Sequence, residues 1–390
     1  MIIRWAGVVL ICGLLAFHSA RTAAVSWPSV RSPITLERFW PGHPAVVTDQ
    51  IMADVGSAAA MGRSPRAATI DRLQELARKA PLAVEPFLIN GALAEMDGRN
   101  DFAETLYLEA RRRDPRSQAA RYFLSSRYFA TKRIPDGLEE IAVLARLVPD
   151  AELQFVPALA SFAQSPGAVP ALRRFFSSSQ RTEDAVLAQL AAEARNADLI
   201  LALASPKATA PEKPVPAWHN ALLTNLVQAG QYEKAYAIWG RLGGGRPTRA
   251  LFNPTFRPIA APPPFNWAFE TSKAGVVEPS ENGLKIVYYG RDDAILLSQL
   301  LLLRVGSYQL IGQAEGAPRI DGLAWSLSCL PGKQAVTTLA LVRPGVKKAR
   351  FDIPASGCRA QLLELKGTSS EGAQPSELTI PRVDIARVGQ

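Results

Sequence analysis

Two periodicities of hydrophobic positions follow one another along the chain. Between residues 45 and 250 apolar side chains recur at three- and four-residue steps, most clearly at Val186, Leu187, Leu190, Ala191, Ala194 and Ala197. That spacing predicts amphipathic helices. From residue 265 the period is two. Leu323, Trp325, Leu327 and Cys329 fall on one face, with Ala324, Ser326 and Ser328 on the other. Leu284, Ile286 and Tyr288 alternate with Lys285, Val287 and Tyr289 in the same way. Further strands are expected at 265–271, 295–303, 307–315, 348–353, 359–366 and 377–388, punctuated by Gly306, Pro331-Gly332, Pro344-Gly345 and Gly367. Gly243-Gly244-Gly245 ends the helices, and Ala261-Pro262-Pro263-Pro264 closes a Pro-rich linker. The expected order is therefore a multidomain α-then-β chain: a leader at 1–24, a helical domain at 45–250, a linker at 251–264 and an antiparallel β-sandwich at 265–390.

The leader has its own pattern. Arg4 precedes 13 apolar residues, Trp5 to Phe17, and a small-residue tail follows at Thr22-Ala23-Ala24. This is the grammar of a secretory signal. Counting from Ile2 to Ala20, the run would just reach across a bilayer, so cleavage and retention as a membrane anchor are both open. Either predicts a periplasmic or secreted location, or an inner-membrane anchor with the bulk in the periplasm.

Within the helical region Pro81, Pro115 and Pro149 stand 34 residues apart, twice. Each falls where a helix should stop, because proline lacks the N–H and restricts the residue before it. A 34-residue period is that of a helix–turn–helix repeat. In the unit from Val84 to Ser117, Phe87, Gly91, Gly98, Ala103, Tyr107, Ala110 and Pro115 keep the motif's phase, and the chain resembles a tetratricopeptide-repeat protein. Asn90 departs from the usual leucine and Ala94 from the usual aromatic. The units before and after keep Leu73, Leu76 and Pro81, and Leu124, Tyr128, Gly137 and Pro149, in phase. A further unit lies near 216–243, and 150–205 is helical but degenerate. The resemblance implies a stack whose concave side binds a protein partner, with Glu85, Leu88, Tyr122 and Phe129 as candidate contacts.

Charge changes this picture in one place. The chain carries 44 Lys and Arg against 35 Asp and Glu. Eight of those cations lie in residues 111–133, among them Arg111, Arg112, Arg113 and Arg116, against Asp114 alone. If they share a solvent face, they form an anion- or partner-binding site for acidic polysaccharide, phospholipid headgroups or an acidic protein; nucleic acid is not expected for an exported chain. The plainer reading is a solvated helix face.

The order Phe265-Asn266-Trp267, Ser298-Gln299-Leu300, Val305-Gly306-Ser307-Tyr308 and Gly322-Leu323-Ala324-Trp325 resembles carbohydrate-binding-module jelly rolls. It is also similar to the domain that follows tetratricopeptide repeats in bacterial cell-envelope and exopolysaccharide proteins. Trp267 and Trp325 could stack on sugar rings or pack in the core. Outside the leader only Cys329 and Cys358 remain, so export predicts one disulfide between them; two buried thiols are the other reading.

No motif speaks for catalysis. His43 and His219 have no serine elbow near them, phosphate loops and dinucleotide fingerprints are missing from the sequence, and Asp292, Asp293 and Asp321 read as solvated loop acids. No cofactor or metal is implied. The expectation is a non-catalytic scaffold of cell-envelope polysaccharide machinery. A glycan-binding protein, or an enzyme using the sandwich carboxylates, are the alternatives. Residues 1–30 fused to a reporter active only in the periplasm should give signal, and a reporter active only in the cytoplasm should stay dark. The reverse pattern would remove the export reading.

Overall fold

The computed structural model describes residues 12–23, 40–210, 214–245, 249–270, 272–316, 320–370 and 375–388. Residues 12–23 of the leader are helical; the rest of that segment lies outside the described residues. Among the described residues no helix is long and apolar enough to cross a membrane. The chain forms two compact units, Met1–Glu152 and Leu153–Gln390.

The first unit is built of three helical hairpins. They are α1 (Pro44–Ala60) with α2 (Ala67–Lys79), α3 (Glu85–Met96) with α4 (Asn100–Arg113), and α5 (Gln118–Ala130) with α6 (Ile134–Leu147). None closes a core alone. Ile51, Leu73 and Leu76 of the first hairpin are completed by Ile89 of the second. Ala94, Ala103 and Tyr107 of the second are completed by Leu124 and Tyr128 of the third. The turns repeat as well. Gly98 has φ +73° and Lys132, 34 residues later, has φ +62°. At the first turn Gly98 N–H donates to Glu95 and Arg99 N–H to Ala94 (2.9 and 2.8 Å); at the second Lys132 donates to Phe129 and Arg133 to Tyr128 (3.1 and 2.8 Å). This left-handed cap satisfies carbonyls at the end of the first helix of each pair.

In the second unit α7 (Val156–Ala163), α8 (Ala168–Phe176), α9 (Gln180–Leu190) and α10 (Ala197–Leu203) are short helices. The hairpin α11 (Ala217–Gln228) with α12 (Tyr232–Trp239) then returns to the repeat pattern. Its turn has the same cap, with Gly230 at φ +70° and Gln231 N–H donating to Leu226 at 2.9 Å. His219 on α11 is buried, and its Nε2–H donates to the Ala208 carbonyl at 2.8 Å. Burial holds its pKa below the ordinary value.

Ten strands follow: β1 (Ala268–Phe269), β2 (Gly275–Ser280), β3 (Gly283–Tyr288), β4 (Ala294–Leu301), β5 (Gly306–Gly316), β6 (Leu323–Pro331), β7 (Gln334–Ala340), β8 (Gly345–Ile353), β9 (Cys358–Gly367) and β10 (Ser376–Arg387). They form two antiparallel five-stranded sheets, ordered β1-β4-β9-β6-β7 and β2-β3-β10-β5-β8. Strands β3 to β10 follow jelly-roll order, β3-β10-β5-β8 in one sheet and β4-β9-β6-β7 in the other, with the hairpin β6–β7 kept within one sheet. Strands β2 and β7 were not expected from the sequence. Both are mostly exposed edge strands, so they lack the alternation of buried positions that period-two reading requires.

The expected linker at 251–264 is corrected. Leu251 and Phe256 are buried in the sandwich core, and the Trp239 indole N–H donates to the Pro262 carbonyl at 2.8 Å. The Gln299 side chain holds Phe252 at both ends, accepting from its N–H at 3.1 Å and donating to its carbonyl at 2.9 Å. This segment is a packed strap that joins α12 to the sandwich, because its apolar residues are buried between the prolines that made it look extended.

Cys329 at the end of β6 and Cys358 at the start of β9 form the disulfide, with a Cα–Cα distance of 4.8 Å. It closes the excursion through β7 and β8. By loop entropy it contributes about 3–4 kcal/mol.

A β-carbon placed on Gly91 would lie 2.5 Å from the Tyr107 ring. Tyr107 cannot move away, because Phe123 stacks on it with centroids 4.7 Å apart and its hydroxyl donates to Glu95 at 3.0 Å. Gly91→Leu should therefore destabilise the first unit by about 1–3 kcal/mol through overpacking. The full chain should show a lowered first thermal transition by circular dichroism. An unchanged melting profile would show that α3 and α4 do not close through this residue.

Candidate functional site

The basic stretch does not form one free cationic face, which corrects the sequence expectation. Acids distant in sequence fold onto it. Glu140 on α6, 3% exposed, accepts from both Arg111 and Arg121, the latter at 2.6 Å. Glu109 pairs with Arg112 at 2.6 Å and with Arg113. Arg127 pairs with Asp101 at 2.9 Å and Glu104 at 3.5 Å, and Arg133 also reaches Glu104. Arg113 is further spent on structure: its guanidinium lies 3.8 Å from the Phe87 ring centroid and donates to the Pro81 carbonyl at 3.0 Å. It thereby ties the end of α4 to the turn 32 residues earlier. Of the four candidate arginines, Arg113 is held inside the packing, and Arg111 and Arg112 are paired. Among the described residues Arg116 has no ion pair of its own.

The candidate contacts on the first helices of the hairpins divide similarly. Leu88 packs against the Ala94–Tyr107 cluster. Phe129 covers Gly137, where a β-carbon would sit 3.2 Å from its ring. Both serve the hairpins and are not free contacts. Tyr122 stands exposed beside Phe123, and Glu85 is half-buried in the first turn of α3.

This unit carries a cleft of about 460 Å³ that the sequence pattern does not place. Ile70 of α2, Leu93 of α3, and Phe102 and Leu106 of α4 give it an apolar wall; Asn90, Asp97, Arg99, Ser64 and Pro65 complete it. Phe102 is 51% exposed. Asn90 donates from Nδ2 to the Pro86 carbonyl at 2.8 Å. Its Oδ1 takes no hydrogen bond among the described residues. The legible signal was Asn90 itself, a polar side chain where the repeat motif calls for leucine. Asparagine matches leucine in side-chain length, so what it changes is chemistry: it gives the cleft a polar group.

In the sandwich the glycan-stacking reading of the two tryptophans is corrected. Trp267 and Trp325 are 3% and 0% exposed and pack on each other with centroids 5.7 Å apart. Neither can meet a sugar ring. The loop acids are structural too. Asp293 accepts from the N–H and hydroxyl of Ser369, both at 2.7 Å, and these bonds hold its pKa below the ordinary carboxylate value. Among the described residues no cluster of His, Cys, Asp and Glu could hold a metal.

Glu140 is the keystone of the arginine network, since its two oxygens each take one guanidinium. Glu140→Gln would leave two cations facing a neutral amide in a buried place. Breaking such a buried pair costs about 3–5 kcal/mol, and the lower end applies because Arg111 is a third exposed. Thermal denaturation should show this loss, whereas Glu109→Gln, nearer the surface, should change stability much less. Equal and small effects for both would mean that the Glu140 pairs add nothing to the fold.

No family model matches this chain, and no curated protein matches it. Among solved structures the chain is similar to YrrB, described as a TPR protein with an unusual peptide-binding site, at 13% identity over 44% of this chain and 90% of that one, with a TM-score of 0.26. It is also similar to TmCBM61, solved in complex with β-1,4-galactotriose, at 17% identity over 36% of this chain and 99% of that one, with a TM-score of 0.24.

Proposed function

We propose that the chain is a non-catalytic, exported scaffold that holds a protein partner on its first unit and takes part in organising cell-envelope polysaccharide machinery. The observation that carries this reading is the open cleft over α2, α3 and α4. A stack of hairpins buries apolar side chains wherever successive units meet, yet here Phe102 is exposed beside Ile70, Leu93 and Leu106. An apolar wall with one amide oxygen open to an added donor suits a short segment of a partner chain, its side chains filling the wall and its backbone meeting Asn90. The leader pattern supports export. The order of aromatic and glycine-marked strands in the sandwich supports the link to polysaccharide.

Phe102→Asp tests the reading directly. Phe102 is half exposed, so the change should leave the melting temperature nearly unaltered. It should abolish co-purification of the partner that wild-type chain retains from its own envelope fraction. An identical set of co-purifying proteins for wild type and Phe102→Asp would overturn the cleft as the partner site. Binding of the purified chain to neutral glycans on an array, with no protein partner retained, would favour the direct glycan-binding reading.

A further inference from the structure

With most arginines of 111–133 paired, a second basic stretch stands out on the sandwich. Residues 334–351 contain Arg343, Lys347, Lys348 and Arg350 and no acid; Asp352, which follows Arg350 on the exposed face of β8, accepts from the Ser307 hydroxyl. Among the described residues none of these four makes an ion pair. They lie on the β7–β8 turn and along β8, an edge strand of its sheet. The register sets Val346 beside Gln313, Lys348 beside Ile311 and Arg350 beside Gln309. The neighbours on β5 are therefore neutral. The nearest carboxylate on that strand, Glu315, takes a hydrogen bond from Gln313 at 2.9 Å.

The same run exposes apolar side chains. Val342 is 54% and Val346 55% exposed, on either side of Pro344-Gly345. Lysines on an edge strand can serve simply to repel other strands. Two bare valines among them work against that purpose, since they invite association. A polyanionic sugar chain would use the cations but gain nothing from the valines. It would also find no aromatic platform, because Tyr308 and Phe351 are buried here and stacked on each other at 5.7 Å. Cations interleaved with short exposed apolar side chains on a turn and edge strand match an interface that is negative at its surface and apolar just beneath.

We propose that the β7–β8 turn and the start of β8 form a binding site for an anionic phospholipid surface. Val342 and Val346 enter the headgroup region, and Arg343 on the turn with Lys348 and Arg350 on the exposed face of β8 meet the phosphates; Lys347 is half-buried on the opposite face. This site is independent of the cleft on the first unit and of whatever residues 1–24 do at a membrane.

The test needs a readout confined to this turn, because the apolar leader could hold the chain to any vesicle. In the full chain, Cys12→Ser removes the one free thiol, since Cys329 and Cys358 are joined. Val346→Cys then carries an environment-sensitive fluorophore. With vesicles of phosphatidylcholine and phosphatidylglycerol, the label should be quenched by lipid-attached nitroxide. With phosphatidylcholine alone it should not. Quenching should fade in 1 M salt, where the Debye length is about 3 Å. Each of Arg343→Gln, Lys348→Gln and Arg350→Gln should weaken the partition about fivefold, and Lys347→Gln, on the opposite face, less, with circular dichroism unchanged. The proposal fails if the label is quenched equally in both vesicle types, or in neither, or if the quadruple variant behaves as wild type. A label that responds to polygalacturonate but not to anionic vesicles would equally overturn it, in favour of a polyuronate site.

Discussion

The first unit depends on one constraint: a hairpin of two short helices cannot cover its own apolar stripe. The Ile51–Ile89 and Ala94–Tyr128 clusters are therefore each shared between successive hairpins, and the shared residues decide how closely they approach. Tyr107 sits at the centre of this arrangement. Its ring fills the space that Gly91 leaves, Phe123 of the next hairpin lies parallel on its other face, and its hydroxyl is anchored by Glu95. Burial, with the adjacent Glu95 carboxylate, keeps that hydroxyl protonated far above its ordinary range. A smaller ring or a larger residue at 91 would alter two hairpins at once, so the glycine and the tyrosine are one packing decision made at two positions.

Much of this was legible because repetition makes local chemistry visible. Pro81, Pro115 and Pro149 mark helix ends that the structure closes within one or two residues, and the turn at Gly98 recurs at Lys132 with the same pair of hydrogen bonds. The sandwich was legible where strands are central. The inward row Leu323, Trp325, Leu327 and Cys329 is buried as the alternation implied. The edge strands β2 and β7 escaped because an edge exposes both faces and carries no period. The segment 251–264 misled for a related reason. Prolines and a glycine run look like a tether, but whether a proline-rich stretch floats or packs depends on what Trp239 and Gln299 offer it, 20 to 50 residues away.

Charge was the least legible property, and the reason is geometric. Counting residues 111–133 as a window finds eight cations and one acid. The partners of those cations are Asp101, Glu104, Glu109 and Glu140, which lie just outside the window and come back to it through the hairpin fold. A repeat of 34 residues brings helices about one repeat apart into contact, so a charge imbalance shorter than one repeat says little about the surface. The cleft shows the converse. Asn90 was visible as a departure from the motif, yet the opening it lines, bounded by three helices, exists only after stacking.

The same reasoning explains why β8 drew no attention as a sequence. Lys347-Lys348-Ala349-Arg350 is a modest run beside the arginine-rich stretch. In a central strand its cations would have had neighbours on both sides to pair with. The pairing order leaves β8 a single hydrogen-bonded neighbour, β5, whose facing residues are Gln309, Ile311 and Gln313. Position at the sheet edge, rather than the number of cations, leaves this charge unbalanced. The turn that precedes it then exposes valines that a central position would have buried. Sheet order is thus what converts an ordinary basic segment into the most distinctive surface of the sandwich, while the more basic helical segment is consumed by its own fold.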